Sequence, residues 1–229
     1  MTSDRGDRQA AHAGIADIRS PDDFARAFSV SRETVEKLEL YETKLRKWQP
    51  AVNLVSPKTL DAVWHRHFAD SAQLAAHVPE SAASLLDLGS GAGFPGLLLA
   101  ILLQDRAAPP AVTLVESDSR KAAFLADVSR SVDNPARILS TRIEASSTVK
   151  DVGLVDCVTA RALAPCIRLF ASFALFAHPG TVGVFPKGRG YADELQAARE
   201  RWDFKVAHHP SLTDADSRIV VVTEVTPVT

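Results

Sequence analysis

Four glycines lie within eight residues, and together they form the clearest candidate for a binding site in this sequence. The segment Gly91–Gly96 fits the pattern G-x-G-x-x-G, and Gly89 precedes it. An apolar run that predicts a strand comes before the turn, and one that predicts a helix follows it. Such a turn brings the backbone close to a nucleotide-like ligand, and its first interpretation is a dinucleotide site. The alternative is a tight strand–helix junction without a ligand, which so many glycines disfavour.

Three details favour S-adenosylmethionine over a dinucleotide. Asp87 lies two residues before Gly89, and a carboxylate suits a cationic sulfonium better than it suits phosphates. Gly89 itself lengthens the turn, and Pro95 falls near the predicted helix start, where its missing N–H costs little. Glu116 ends the next predicted strand and can accept hydrogen bonds from ribose hydroxyls, a feature that nicotinamide enzymes share. From these residues we predict cofactor contacts at Asp87, Gly89, Gly91, Gly93 and Glu116.

Two charged residues follow later strands of the predicted sheet. Arg161 ends the fourth strand and Glu144 follows the third. Because the carboxyl ends of strands in open α/β sheets face the ligand crevice, we expect Arg161 beside both the cofactor and the substrate. We expect the backbone or carboxylate of Glu144 to meet the adenine. The alternatives are a surface salt bridge for Arg161 and a solvated helix start for Glu144.

The overall charge gives little help with the substrate. A formal net charge of −2 argues weakly against nucleic acid, but a local basic patch is enough to bind phosphates. We predict such a rim, with a solvated face as the alternative for each single charge. Its members are Arg66, His67, Arg120, Lys121, Arg161, Lys187 and Arg189.

Two other chemistries deserve consideration. His65 and His67 are close in sequence, but they project apart on a helix and no cysteine lies near, so we predict no metal site. Cys166 follows Pro165 after the fourth strand, where a thiolate nucleophile would attack a base covalently. Its apolar neighbours favour a buried, inert cysteine instead.

Strand and helix patterns alternate after Pro79. Strands are predicted near 84–88, 112–116, 136–140, 154–159, 180–185, 203–208 and 218–225. Helices are predicted near 94–104, 119–132, 165–177 and 190–201. This alternation predicts an α/β fold, a Rossmann-like seven-strand sheet with helices on both faces. The last two strands are too close for a helix between them, so they should pair antiparallel as an edge hairpin.

The chain divides into three predicted regions. Residues 1–20 are expected to be a mobile tail, residues 21–79 a helical N-terminal subdomain, and residues 80–229 the α/β domain. The helical region rests on patterns at 31–50 and 60–76. The longest apolar runs fall far short of the ~20 residues that a membrane span needs. Two cysteines make no disulfide framework, so we expect a cytoplasmic protein without a membrane partner.

A series of motifs in fixed order resembles one family, the ribosomal small-subunit RNA methyltransferase G family, also called glucose-inhibited division protein B. The resemblance covers about residues 35–225. Its stretches are Lys47-Trp48, Asn53–Ser56, Arg66–Ser71, Asp87–Gly96, Glu116-Ser117, Arg120-Lys121, Phe124-Leu125, Arg142–Glu144, Thr159–Ala162 and Lys187-Gly188. The chain departs from the family pattern at Val55, where Thr or Ser is common, and at Leu163, where an aromatic residue is common.

The resemblance implies transfer of a methyl group from S-adenosylmethionine to N7 of a guanine in the 530 loop of 16S ribosomal RNA. It further implies cofactor contacts at Gly89, Phe94, the pair Ile143-Glu144, and Arg161. Guanine N7 carries no proton, so we expect Arg161 to act by positioning and no general base to be needed. The implied partner is 16S rRNA or the small ribosomal subunit or its precursor, bound by a monomer. The alternatives are a nicotinamide-dependent oxidoreductase and a non-catalytic ribosome-assembly factor.

Overall fold

A computed structural model describes residues 17–134 and 136–228. Its first helices are α1, Pro21–Phe28, and α2, Arg32–Trp48. Each begins at a serine, Ser20 or Ser31, whose side chain accepts a hydrogen bond from a backbone N–H of the first turn. The pattern at 31–50 is thereby confirmed, whereas α1 was not predicted.

The next segment changes helix type along its length. A 3-10 turn, Pro57–Thr59, leads to a π-helix, Trp64–Ala69, a single α-turn, Asp70–Ala72 (α3), and a 3-10 helix, Gln73–His77. The predicted helix over 60–76 is therefore present only in part as an α-helix. From this segment, the side chains of His67, Asp70 and Gln73 all form hydrogen bonds with residues in the C-terminal half of the chain.

Seven strands form one sheet in the order β3-β2-β1-β4-β5-β7-β6. The strands are β1 Ser84–Leu88, β2 Ala111–Glu116, β3 Arg137–Ser140, β4 Val155–Thr159, β5 Ala177–Lys187, β6 Trp202–Pro210 and β7 Arg218–Pro227. The first five pair in parallel, whereas β7 is antiparallel to both β5 and β6. The predicted fold class and the C-terminal hairpin are confirmed, with β7 lying inside the sheet and β6 at its edge.

The remaining helices connect these strands. They are α4 Gly96–Leu103, α5 Ser119–Ser131, α6 Ser146–Val152, α7 Cys166–Ala174 and α8 Tyr191–Ala198. All but α6 match a predicted helix. The short α6 has the polar sequence SSTVKDV with little apolar periodicity, which explains why it was not predicted.

The hydrophobic core lies in two layers, one on each side of the sheet. One layer joins the N-terminal helices to α4 and α5, with Phe24, Tyr41 and Phe68 buried in the same cluster as Phe94 and Phe124. The other lies beneath α7 and α8. The switch from helical patterns to strand–helix alternation at residue 80 is therefore not a boundary of the core. The helical region and the α/β region share one core layer.

The described residues include Asp17–Ser20, which fall inside the segment predicted as a tail. Ile18, inside the segment predicted as a tail, is buried in the core, and Ser20 caps α1. The prediction of a tail is corrected for these residues, because the Ile18 side chain packs in the core layer that contains the N-terminal helices. Residues 1–16 of the same prediction lie outside the described residues.

Within residues 17–134 and 136–228, no helix is both long and apolar enough to cross a membrane. Over the same residues, no group of three or more His, Cys, Asp and Glu side chains is arranged to hold a metal ion.

Candidate active site

The glycine turn joins the end of β1 to the start of α4, and its glycines have different surroundings. Gly91 and Gly93 both have positive φ, +55° and +87°, a conformation that residues with a Cβ adopt only at a cost. A Cβ on Gly91 would meet nothing nearer than the Gly89 carbonyl oxygen at 3.9 Å, whereas one on Gly93 would collide with Tyr41 and Leu97. Gly91 therefore presents bare backbone to open space, as a cradle for a ligand requires, and Gly93 is fixed by close packing.

Glu116 is held against this turn at the end of β2. One carboxylate oxygen accepts a hydrogen bond from the Gly91 N–H and the other from the Asp118 N–H, each at 2.8 Å. The side chain is buried. A carboxylate oxygen can accept a second hydrogen bond, so Glu116 has the position and the acceptor capacity that ribose hydroxyls would use.

Asp87 is fully buried and faces the protein interior. One of its oxygens accepts a hydrogen bond from the Thr159 hydroxyl at 2.7 Å, while Oδ2 has no partner within the described chain and lies against Gly96. Burial raises the pKa of this carboxyl to about 6, against the opposing effect of the Thr159 hydrogen bond. The start of α4 encloses the side chain, and a contact between Asp87 and the cofactor stays a prediction.

Phe94 is also buried, so its side chain supports the site from below. Its ring stacks on Tyr41 with centroids 5.2 Å apart and on His67 at 5.3 Å. The guanidinium of Arg161 lies over the same ring, 5.4 Å from its centroid, a cation–π arrangement. A cofactor contact at Phe94 would thus come from its backbone, while the ring positions Arg161.

Arg161 brings together residues that are distant in sequence. It donates hydrogen bonds to Asp70 Oδ2 at 3.0 Å, to His67 Nδ1 at 2.7 Å and to the Arg66 carbonyl at 3.2 Å. Asp70 is also the ionic partner of Arg161. The next residue, Ala162, has a positive φ of 54°, so the chain turns sharply just after the guanidinium.

The hydrogen bonds of His67 define its protonation. A guanidinium only donates, so Nδ1 accepts from Arg161 and Nε2 carries the proton toward the Thr59 hydroxyl, 2.8 Å away. Burial, together with the positive charges of Arg161 and Arg66, lowers the pKa of His67 to about 3. His67 is therefore a neutral support for Arg161 rather than a cation of the rim.

Two clefts open on either side of the Arg161–Asp70 pair. The larger, about 490 Å³, is lined by Arg161, Leu163, Arg168, Lys187, Ser211 and Arg218, among others. The smaller, about 290 Å³, is lined by Thr59, Arg66, His67, Thr213, Asp214 and Ser217 together with the same pair. The larger cleft is lined by several basic side chains and is large enough for a nucleotide-sized group.

The other predicted basic residues differ in their exposure to solvent and in their ionic partners. Lys187 is largely buried in the larger cleft and pairs with Glu194 at 2.8 Å. Arg189, whose side chain is 85% exposed, pairs with Asp216. Arg120 and Lys121 lie in the first turn of α5, directly after the end of β2, and Arg66 is exposed beside the smaller cleft. The structure thus places Arg66, Lys187 and Arg161 around the clefts and Arg120 and Lys121 just after the end of β2, where Glu116 lies.

Ile143 and Glu144 lie in the loop after β3, on a groove of about 810 Å³ shared with Leu163. Ile143 is half-buried against the second core layer. Glu144 is exposed, and its carboxylate accepts a hydrogen bond from Ser172 at 3.4 Å. Leu163 also reaches over Gly89, where a Cβ would lie 2.7 Å from a Leu163 methyl group. The groove therefore adjoins the glycine turn.

Cys166 is buried at the start of α7. Burial raises the pKa of its thiol to about 11, so the thiolate that covalent attack requires is scarce at neutral pH.

Comparison with known proteins gives a consistent result. A family model described as GidB, rRNA small subunit methyltransferase G, matches residues 34–220. The chain is 50% identical over 205 residues to the Ribosomal RNA small subunit methyltransferase G of Rhodospirillum centenum, covering 90% of this chain and 91% of that protein. The protein of the same name from Parvibaculum lavamentivorans is 46% identical over 210 residues, covering 92% of each.

Solved structures support the fold. An O-methyltransferase from Bacillus cereus in complex with SAH superposes with a TM-score of 0.54 at 15% identity, covering 81% of this chain and 91% of that one. Aeropyrum pernix fibrillarin with natively bound S-adenosyl-L-methionine gives 0.52 at 17% identity, covering 69% and 76%.

Proposed function

Because the chain belongs to the rRNA small subunit methyltransferase G family and is an S-adenosylmethionine-dependent methyltransferase, we propose that it methylates N7 of one guanine in the 530 loop of 16S rRNA. The proposal rests chiefly on the family match over residues 34–220. The substrate is the rRNA itself, the small subunit or its precursor, bound in the cytoplasm by a monomer.

The side chains around Arg161 suit a reaction that needs no general base. S-adenosylmethionine supplies an electrophilic methyl group on a sulfonium, and guanine N7 offers an in-plane lone pair without a proton. His67, with its pKa lowered to about 3, is a poor proton acceptor, and Asp70 is held in its pair with Arg161. Catalysis then depends on alignment of the two reacting atoms, and Arg161 is the fixed cation beside which the base is aligned.

The binding roles divide between two sets of residues. Backbone at Gly89, Gly91 and Gly93 approaches the cofactor, with the Phe94 backbone at the end of the turn. Glu116 takes the ribose hydroxyls, because its carboxylate is already fixed beside Gly91. Ile143 and Glu144 border the adenine. The residues that take RNA phosphates are Arg66, Arg120, Lys121, Lys187 and Arg189.

The atom that receives the methyl group can be tested directly. Small subunits from cells without the gene are incubated with the protein and labelled S-adenosylmethionine, and chemical cleavage at N7-methylguanine maps the modified position. We expect one new cleavage site in the 530 loop. The matched control is reconstituted RNA with 7-deazaguanosine at that position, which lacks N7 and should accept no label. Label that persists on the 7-deaza RNA, or cleavage elsewhere, would overturn the proposal.

A further inference from the structure

The loop between β6 and β7, residues 211–217, is held by hydrogen bonds to buried side chains. Ser211 and Thr213 are only 5% and 8% exposed, while Leu212 between them is 51% exposed. Inter-strand loops are usually solvated because their backbone groups need partners. The partners of this loop therefore decide where it lies.

Gln73 is one of the residues that hold this loop. This buried side chain accepts a hydrogen bond from the Leu212 N–H at 2.7 Å and donates to the Ser211 hydroxyl at 3.1 Å. It also donates to Asp70 Oδ1 at 3.2 Å. One amide thus joins the 3-10 helix Gln73–His77 to a loop 139 residues further along the chain.

Asp70 extends this connection to the guanidinium in the site. Its Oδ1 accepts a hydrogen bond from the Thr213 hydroxyl at 2.8 Å, and its Oδ2 accepts from Arg161 at 3.0 Å. His65 Nε2 also donates to the Thr213 carbonyl at 3.0 Å. The loop, Asp70 and Arg161 therefore form one continuous network, and displacement of the loop would remove a ligand from the carboxylate that holds Arg161.

The same loop also lines both clefts. Ser211 and Ser217 face the larger cleft, and Thr213, Asp214 and Ser217 face the smaller one. We propose that residues 211–217 form an RNA-contacting wall of the active site, and that Gln73 and Thr213 are positioning residues that set this wall relative to Arg161. The inference rests on the proposed transfer to rRNA and adds residues that determine how the RNA is held.

The test separates RNA binding from cofactor binding. Thr213→Val keeps the size of the side chain but removes the hydroxyl that donates to a carboxylate, and hydrogen bonds to charged groups contribute on the order of a tenfold factor or more in affinity. We expect the KM for small subunits to rise about tenfold, with S-adenosylhomocysteine affinity within about twofold of wild type, because Thr213 reaches the glycine turn only through Asp70, Arg161 and the Phe94 ring. Gln73→Leu should act in the same direction.

Two further variants distinguish positioning from general destabilisation. Thr213→Ser retains the hydroxyl and should restore the KM for RNA. Thr226→Val makes the same chemical change at an exposed position near the far end of the hairpin and should behave as wild type. An unchanged RNA KM in Thr213→Val, or an equal loss in Thr213→Ser, would overturn the inference. A wild-type protein that transfers no methyl group to rRNA would instead overturn the proposed function.

Discussion

The cofactor half and the RNA half that we propose for the active site are built in different ways. The cofactor half consists of backbone in a short turn, fixed by one carboxylate, Glu116, from the neighbouring strand. The RNA half consists of side chains, with Arg161 held by His67 and Asp70 from a segment more than ninety residues earlier. Local backbone geometry therefore shapes the first half, whereas tertiary packing shapes the second. Mutations should separate them, because stability and cofactor affinity depend on the turn and methyl transfer depends on the network.

The largest effect is expected in the cofactor half, at Gly93. Gly93→Ala meets both an unfavourable positive φ and a collision with Tyr41 and Leu97. We expect the free energy of unfolding to fall by roughly 3–5 kcal/mol. Gly91→Ala is the matched control, since it shares the positive φ but has open space, and should cost only about 1–2 kcal/mol. Chemical denaturation of both variants measures the difference, and equal losses would show that packing around Gly93 does not constrain the turn.

The RNA half should respond in catalysis rather than in cofactor binding. Arg161→Ala removes the guanidinium and leaves Asp70 without its ionic partner. We expect methyl transfer to small subunits to fall at least roughly 100-fold, with S-adenosylhomocysteine affinity within about threefold of wild type, because the cofactor contact predicted for Arg161 is one among those of the glycine turn and Glu116. Arg161→Lys keeps the charge without the fork that engages Asp70 and His67 together, and should give an intermediate rate. Unchanged transfer by Arg161→Ala would show that the two halves are not divided in this way.

The two halves should also respond oppositely to pH, and Asp87 represents the cofactor half. Its pKa is about 6 in the folded protein, above the 3.8 expected when unfolded. The folded state therefore binds the proton more tightly, and stability falls as pH rises from about 4 to 6. Asp87→Asn removes this penalty, so at pH 7.5 it should be more stable than wild type by on the order of 2 kcal/mol. The advantage should vanish near pH 4, and a constant difference across the titration would contradict the assignment.

His67 provides the smallest and opposite effect in the RNA half. Its pKa is lowered to about 3 from 6.5, so its contribution to stability is present above pH 6.5 and is lost as pH falls toward 3. Gln can accept from Arg161 and donate to Thr59 without titrating. As the pH falls from 6.5 to 5, the free energy of unfolding of the wild type should therefore decrease by about 1–2 kcal/mol more than that of His67→Gln. Parallel stability curves for the two proteins would argue against a neutral buried His67.

Sequence reasoning located the backbone half of the site better than the side-chain half. The glycine turn, its strand and Glu116 follow from local patterns, because turn geometry and strand ends are encoded within a few residues. The burial of Asp87 could not be predicted, because whether the start of α4 encloses that side chain depends on packing against Gly96. The same limit applies to Phe94, whose ring lies under Arg161 rather than in the crevice.

The RNA half depends on contacts that no local pattern encodes. Asp70 follows Arg66 by four residues, the spacing of a helical ion pair, but the π-helix Trp64–Ala69 and tertiary packing direct it to Arg161. Gln73 and Thr213 gave no signal, since a lone amide and a lone hydroxyl have no pattern of their own. The one available indication was the spacing by three of His67, Asp70 and Gln73, which puts them on similar sides of a helix.

The position of β7 between β5 and β6 bears on how the enzyme is made. A nascent chain emerges N-terminus first, so residues 218–227 leave the ribosome after every other strand although they fill an interior place in the sheet. Until these residues are synthesised, the edge of β5 that faces away from β4 is unpaired, and β6 has no neighbouring strand to pair with. A premature stop just before Arg218 would leave an unpaired edge, which favours aggregation and degradation. The loop 211–217 therefore gains its second flanking strand only when β7 joins the sheet.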